Sequence, residues 1–491
     1  MCGICSEQQV KLERVAMIEY NKIYINGEWV APSGEGTSHL VNPATEEVFA
    51  TVPMSFPEDV DKAAQAARAA FIPWSQTPAV ERKAYIDAIC AKLKERKDEM
   101  ASLISQEMGI PVHFALGIQV LGPISGLKIF GNLAETMDTV KEHEEGYITI
   151  KEPIGVCSFI TPWNFPLFQV IAKVGPALAA GCTCILKPSE QTPLSTYIFA
   201  EVCDEVGLPA GVFNLLPGKG SMIGDELSSH PEVDLVSFTG STEVGVDVAK
   251  SAAGTIKRVC QELGGKSAFI IAEDAPVEKA TKYVVKDSMF NSGQMCVQLS
   301  RIFVHESQYE EALATAKKVS DRLVVGDPTS TDTFLGPLSS MHARESVTKM
   351  IDDALANGAR LVAGGSDLPE GIDKGAYVRP TILGDVTNDM PIARNEIFGP
   401  VLCFISYKDE AEAIALANDT DFGLSSGVWA ESKETQMRIA RQLRAGQVKV
   451  NGPAFSFAAP FGGYKMSGNG REWGASGLVE YTEEKAILTG G

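Results

Sequence analysis

The sequence predicts an α/β protein with two doubly wound α/β domains plus a small β arm. Three observations predict it. The chain has 491 residues, more than one ordinary core accommodates. Between residues 155 and 265, continuous apolar strands alternate with helical stretches, the texture of a parallel sheet covered on both faces. The same alternation resumes after Ser267.

In chain order, residues 1 to about 18 read as loosely ordered, with no signal-peptide core. Cys2 and Cys5 have C-x-x-C spacing, but no second Cys or His pair lies nearby, so no metal site is expected. Residues 22–30 alternate around Asn26-Gly27, a hairpin signal. A short strand follows at 47–52. An alanine-rich helix with an acidic first turn covers 57–71. Helical periodicity continues over 80–108, closed by Gly109, and over 112 to about 137. Residues 141–153 turn charged and then alternate, an exposed strand pair that invites a partner.

Strands are then expected at 155–160, 182–187, 212–216 and 235–239, with helices at 166–180 and 193–206. Cys182 and Cys184 alternate within a strand and read as core. A strand at 257–260 leads to Glu262. The second half gives a strand at 267–271, a helix at 276–290, and strands near 302, 360–363, 401–405 and 448–451. A last strand starts near Lys485. The organisation expected is 20–138 with 155–264 for the cofactor domain, 265–466 for the thiol domain, and 139–154 with 478–491 for the arm.

A net charge of −20 argues against nucleic acid and anionic membrane as partners, since both need basic patches. The longest apolar run, 174–186, contains Gly and Pro and is too short for a bilayer. Ten scattered cysteines read as reduced thiols of a cytoplasmic protein.

Four constellations carry chemistry. Cys296 lies in a turn-like run behind Ser292-Gly293; alone it reads first as a buried structural cysteine, and as a nucleophile it needs thiolate character. Phe238-Thr-Gly240-Ser-Thr-Glu-Val-Gly245 and Gly218-Lys-Gly220-Ser-Met-Ile-Gly224 are glycine loops at strand ends, suited to a pyrophosphate at a helix start or to tight turns. Lys187 and Glu190 end a strand where ribose hydroxyls bind, or form a surface ion pair. Asn164, bracketed by Pro162 and Pro166, is a rigid neutral donor for an oxyanion, or a turn asparagine; Glu262 before two glycines is a candidate base for water.

Together these motifs resemble the aldehyde dehydrogenase superfamily, of the NAD(P)-dependent, hydrolytic kind. The resemblance rests on Pro162-Trp-Asn-Phe-Pro166, Lys187-Pro-Ser-Glu190, Phe238-Thr-Gly-Ser-Thr242, Glu262-Leu-Gly-Gly-Lys266, Gly293-Gln-Met-Cys296, Glu396-Ile-Phe-Gly-Pro400 and Pro460-Phe-Gly-Gly-Tyr-Lys-Met-Ser-Gly468. It implies Cys296 as nucleophile, Asn164 and the Cys296 N–H as oxyanion donors, Glu262 as deacylating base, and Lys173 with Glu472 as a proton path. It implies an adenosine ribose on Lys187 and Glu190, pyrophosphate at Gly240, Ser241 and Gly245, and the nicotinamide ribose at Glu396 beside Phe398. Ile160, Trp163, Gly220, Gly224, Phe238 and Leu263 complete the implied cofactor set.

By the same resemblance Phe165, Phe168, Phe290, Met295, Phe455, Phe457 and Phe461 line a substrate tunnel. Two departures stand out: Gln298 where a small residue is usual, and Ala172 where narrow-tunnel relatives carry an aromatic. They suggest a bulky, aromatic or branched aldehyde. The implied reaction runs through a thiohemiacetal and a thioester on Cys296. A CoA-acylating semialdehyde dehydrogenase and a non-catalytic cofactor-binding protein on the same fold remain as alternatives; an esterase activity would be secondary. Glu190 favours NAD by repelling a 2′-phosphate, with NADP left open by Lys187. A Rossmann-like cofactor domain, a catalytic thiol domain, an oligomerisation arm and a homodimer or homotetramer are implied, and no metal.

Overall fold

Strands Val156–Ile160, Thr183–Lys187 and Leu235–Thr239 are buried along their whole length. Such strands need a neighbour on each edge and a cover on each face. They find both in an eight-stranded sheet of order Gly468–Asn469, Arg258–Glu262, Leu235–Thr239, Val156–Ile160, Thr183–Lys187, Phe213–Leu215, Ile23–Ile25, Glu28–Val30. The five central strands are parallel. The edges are antiparallel, the Ile23 edge being the hairpin turned by Asn26-Gly27 at positive φ. The chain steps outward from Val156–Ile160 in one direction, then returns to build Leu235–Thr239 and Arg258–Glu262 on the other side. A crevice opens at the carboxyl ends of strands where such an order reverses. This computed structural model describes residues 17–137 and 139–489; the Cys2 to Cys5 segment lies outside them.

Helix Pro166–Ala180 starts on a proline, ends at Gly181 with φ 100, and buries nearly every side chain under this sheet. Val112–Thr136 packs across it. That stretch has the length and hydropathy of a bilayer-crossing helix, yet half of its most apolar window is buried inside the protein. It departs from the single helix expected, since Ala115–Leu121 is a π-helical turn. The 80–108 stretch is also two helices, Ala79–Glu95 and Lys97–Met108. They break at Arg96, whose guanidinium is shared between Glu99 and Glu201.

The second sheet has seven strands, in the order Arg360–Ala363, Thr381–Gly384, Val401–Tyr407, Arg301–His305, Ala268–Ile271, Ser425–Trp429, Gln447–Val450, all parallel except the first. Two of these strands, Thr381–Gly384 and Ser425–Trp429, were not expected. The second contains Gly427, where a Cβ would sit 2.6 Å from the Phe269 ring of the next strand. Packing by a neighbour, not its own composition, makes that stretch a strand.

The chain passes from the carboxyl end of Arg258–Glu262 to the amino end of Ala268–Ile271 through residues 263–267 alone. The carboxyl edge of one sheet therefore faces the amino edge of the other. Two small sheets complete the fold. Ile18–Glu19, Val48–Pro53 and Thr37–Val41 form one, which the sequence did not reveal as a unit. Val140–His143, Tyr147–Pro153 and Thr482–Leu488 form the antiparallel arm, with Val140 and Leu488 exposed.

Candidate active site

The thiol loop starts with strained backbone. After helix Val277–Met289, residues Asn291, Ser292 and Gly293 are consecutively left-handed, with φ of 53, 54 and 74. For non-glycine residues this costs about 1–2 kcal/mol each. Burial and hydrogen bonds hold it: Ser292 Oγ donates to the Gly336 carbonyl (2.8 Å) and Asn291 Nδ2 to the Asn164 carbonyl (3.2 Å). At Gly293 a Cβ would lie 2.1 Å from the Gly399 oxygen. The loop leaves Cys296 half-buried, whereas the other described cysteines are buried. Burial pushes its thiol up strongly, and Glu396, Glu262 and Glu472 add to that. Low dielectric and three carboxyl groups act in the same direction, so the ligand-free protein favours the thiol over the thiolate that attack requires.

Glu262 ends its strand 4 % exposed, and among the described residues neither carboxyl oxygen has a hydrogen-bond partner. Burial raises its proton affinity well above a normal glutamate, helped by Glu472 and opposed by Lys173 and Arg471. A hydrogen-bonded pairing with Phe461 brings Glu472 in. Its Oε1 lies 2.5 Å from Lys173 Nζ, which also donates to Ser237 Oγ at 3.0 Å. The arrangement is an ion-paired relay, Lys173–Glu472, electrostatically coupled to an unpaired carboxyl of raised pKa, a combination suited to general-base work. Ser237, inside an apolar strand, gave no sequence signal.

Asn164 is buried and donates one amide hydrogen to the Gln294 carbonyl, two residues before Cys296, at 3.0 Å. An amide carries two such hydrogens, so one remains for a ligand. Trp163 packs edge-on against Phe398, ring centroids 5.5 Å apart. Glu396 Oε1 accepts from Gly265 N–H at 2.9 Å, and burial lifts its pKa to about 7.

At the sheet's switch point, Ile160 pairs with both Phe238 and Lys187. Lys187 is buried, not part of a surface pair: its Nζ donates to the Pro188 and Gly218 carbonyls at 2.8 and 2.9 Å, with Glu190 at 3.8 Å. Burial lowers its pKa to about 8. Helices Gly220–Ser229 and Thr242–Ala252 start at this edge and pack together, the second capped by Ser241 Oγ accepting from Val244 N–H. Their free N–H groups suit a phosphate. The glycines of the 240–245 loop have a second cause, however. A Cβ at Gly240 would meet the Phe238 ring at 2.4 Å, and one at Gly245 the Leu263 side chain at 2.6 Å. A Cβ at Gly224 would meet nothing.

Phe165, Phe168, Phe455, Phe457 and Phe461 form one aromatic cluster, with centroid separations of 5.0–6.4 Å. Trp473, which the sequence did not single out, is its hub, 4.9 Å from both Phe168 and Phe457. Only its place beside Glu472 hints at this. Phe290 packs apart from that cluster, edge-on to Phe114, and Met295 is buried. Two tunnel expectations need correction. Ala172 is fully buried in the main core, so the missing aromatic opens no accessible space at that position. Gln298 turns inward, its Nε2 donating to the Ser288 and Gly399 carbonyls at 3.1 and 2.8 Å. It ties the thiol loop to the Glu396–Pro400 loop instead of lining a wall.

Residues 29–487 match the aldehyde dehydrogenase family. The chain is 46 % identical over 477 residues to a 3-succinoylsemialdehyde-pyridine dehydrogenase of a Pseudomonas species, covering 96 % of this chain and 99 % of that one. Aldehyde dehydrogenase C of Pseudomonas syringae, solved with NAD+ and octanal, superposes with TM-score 0.94 at 45 % identity, over 95 % of this chain and 96 % of that one. A Mycobacterium tuberculosis aldehyde dehydrogenase solved with NAD+ gives 0.94 at 41 % identity, over 97 % and 99 %.

Replacing Gln298 with Leu removes its donor from the Ser288 and Gly399 carbonyls, the second of which keeps Val401 N–H, and should cost about 1–3 kcal/mol in urea unfolding; an unchanged midpoint contradicts the brace. In the ligand-free protein, iodoacetamide labelling at Cys296, read by peptide mass mapping, should still climb about tenfold per pH unit at pH 9, because only the thiolate reacts. A plateau below pH 8 contradicts the raised thiol.

Proposed function

The chain belongs to the aldehyde dehydrogenase family, and on that premise we propose that it oxidises an aldehyde to the carboxylic acid with NAD+ through a thioester on Cys296. One observation carries the reading: a half-open thiol shares its surround with Glu262, a buried carboxyl that no protein donor satisfies. A group left unpaired at such cost suits work on an arriving molecule.

The thiol gives its proton to a carboxylate of that surround, and the sulfur attacks the aldehyde carbon. The remaining Asn164 amide hydrogen and the Cys296 N–H stabilise the oxyanion. When bound, the dinucleotide supplies the hydride acceptor. Glu262 then takes a proton from the water that cleaves the thioester, and the Lys173–Glu472 pair relays it. A water-activating carboxyl favours hydrolysis over acyl transfer to CoA.

The residues at the switch point fit the cofactor. Lys187 spends two of its three donors on backbone carbonyls, while Glu190 stays half-exposed at the same edge. A carboxylate there accepts from a ribose hydroxyl and repels a 2′-phosphate, which supports NAD over NADP. The NAD+ bound by the Pseudomonas syringae and Mycobacterium tuberculosis proteins supports the same preference. The aromatic cluster around Phe168 supports an aryl, branched or long-chain aldehyde. The Pseudomonas relative's pyridine semialdehyde and the octanal held by the other Pseudomonas protein are consistent with that class. The exposed apolar residues of the arm, Val140 and Leu488 among them, support a homodimer or homotetramer.

With Glu262→Gln, the first-turnover burst of reduced cofactor should persist while steady turnover falls on the order of 100-fold or more; loss of the burst contradicts a base confined to deacylation. In the native enzyme, deacylation should fail on acidification at a pH well above that of an ordinary glutamate, because the base works deprotonated and burial raises its pKa. A panel of aldehydes with each cofactor should show kcat/KM on aryl or long-chain aldehydes above that on acetaldehyde, with NAD+ ahead of NADP+; equal values contradict the pocket reading.

A further inference from the structure

Two local distortions, one in each large domain, converge on a single oxygen. The π-helical turn Ala115–Leu121 carries Gln119, which is fully buried, and Gln119 Nε2 donates to the backbone carbonyl of Asn164 at 3.2 Å. The left-handed run carries Asn291, 1 % exposed, whose Nδ2 donates to the same carbonyl at 3.2 Å. Asn291 Nδ2 also reaches the Gln294 carbonyl (3.3 Å), which accepts the side-chain amide of Asn164. Gln294 is held in turn, its Oε1 accepting from Ser339 N–H at 2.8 Å and its Nε2 donating to the Asn291 carbonyl at 3.1 Å. The result is a closed circuit of amides around Asn164.

We propose that Gln119 and Asn291 are positioning residues that aim the free amide hydrogen of Asn164 at the carbonyl oxygen of a substrate on Cys296. The inference rests on the oxyanion role proposed for Asn164. Both residues leave their own carbonyl oxygens, Gln119 Oε1 and Asn291 Oδ1, buried and without a partner. Turning either amide over would satisfy nothing, since it would set oxygen against the Asn164 oxygen. A side chain kept only for packing would not be held with an orphaned acceptor. π-turns and left-handed non-glycine residues also concentrate where a side chain must be re-aimed for function. Here they re-aim two donors from opposite sides of the cleft, and neither touches the reacting atoms.

The test is a double-mutant cycle on the burst rate, with Gln119→Met and Asn164→Ala made singly and together, and cofactor affinity followed by fluorescence as the fold control. Gln119→Met should slow the burst about 3- to 10-fold with KM for the aldehyde and cofactor Kd little changed. In the Asn164→Ala background it should add less than about twofold, because the group it aims is gone. The same cycle with Asn291→Ser keeps the question open to measurement if one variant fails to fold. A Gln119 or Asn291 effect of equal size in both backgrounds overturns the inference while leaving the oxyanion role intact, and so does the absence of any effect when either is changed alone in the otherwise wild-type enzyme. If Asn164→Ala itself leaves the burst unchanged, the oxyanion reading fails and the inference fails with it.

Discussion

The close approach of Gly264 and Gly265, in the crossing between the sheets, to the Glu396 and thiol loops is the contact on which the rest of the site depends. A Cβ at Gly265 would lie 2.3 Å from the Cys296 carbonyl oxygen, and one at Gly264 would lie 2.7 Å from the Glu396 carboxylate. Any larger residue forces one loop off the other, and displacements near 1 Å cost on the order of 100-fold in rate. The crossing is itself clasped. Ser467 accepts from Leu263 N–H through its carbonyl (3.0 Å), and its Oγ donates to the Gly264 carbonyl (2.7 Å) while accepting from Gly423 N–H (2.9 Å). Gly468 then pairs with Glu262 itself. The sequence motif ending at Gly468 thus fixes the base without touching the chemistry.

Electrostatics at the cleft follow from how little compensates its carboxyl groups. At an effective dielectric near 20, opposite charges about 4 Å apart gain roughly 4 kcal/mol, less than the desolvation of two ions can cost. Lys173 and Glu472 form a pair at that balance, and Lys173 gains a second acceptor in Ser237. Glu262 has no pair and therefore keeps a high proton affinity; the neighbouring thiol is held protonated by burial first and by the negative charge of whichever carboxylates stand beside it. A protonated thiol resists oxidation while no substrate is bound. The same three carboxyls that quiet the sulfur are the groups able to take its proton, so protection and activation share one set of residues.

What was legible in the sequence was what local composition determines. Apolar runs marked the central strands of both sheets, motifs marked Cys296, Glu262 and Asn164, and the family resemblance alone pointed to Lys173 and Glu472, which the fold pairs beside Glu262. The rest depended on partners far along the chain. Gln298 reads as a tunnel residue until Gly399 and Ser288 claim its amide. Ala172 reads as a gap until core packing closes over it. Gly240 and Gly245 read as phosphate-loop glycines, although Phe238 and Leu263 occupy the room that their missing side chains leave. Trp473 and Gln119 carry no periodic signal, since an aromatic hub and a π-turn are made by neighbours.

The placement of the cleft has a topological cause. Ligand sites of open α/β sheets usually sit at carboxyl edges, and the cofactor crevice obeys that rule. The thiol domain contributes the opposite edge. Ala268–Ile271 and Arg301–His305 are adjacent parallel strands, with Ala268 registered on Arg301. Adjacent parallel strands entered from the same side must have their entry loops side by side. The entry loop of the first is 263–267, which carries the base at its root; the entry loop of the second is 290–300, which carries the thiol. Glu262 and Cys296, the proposed base and nucleophile, are therefore neighbours because their strands are. The first sheet's carboxyl edge is joined to this amino edge by five residues, too few to let the two sheets drift apart, so the place where a dinucleotide fits and the place where a thiol can react are held to one cleft.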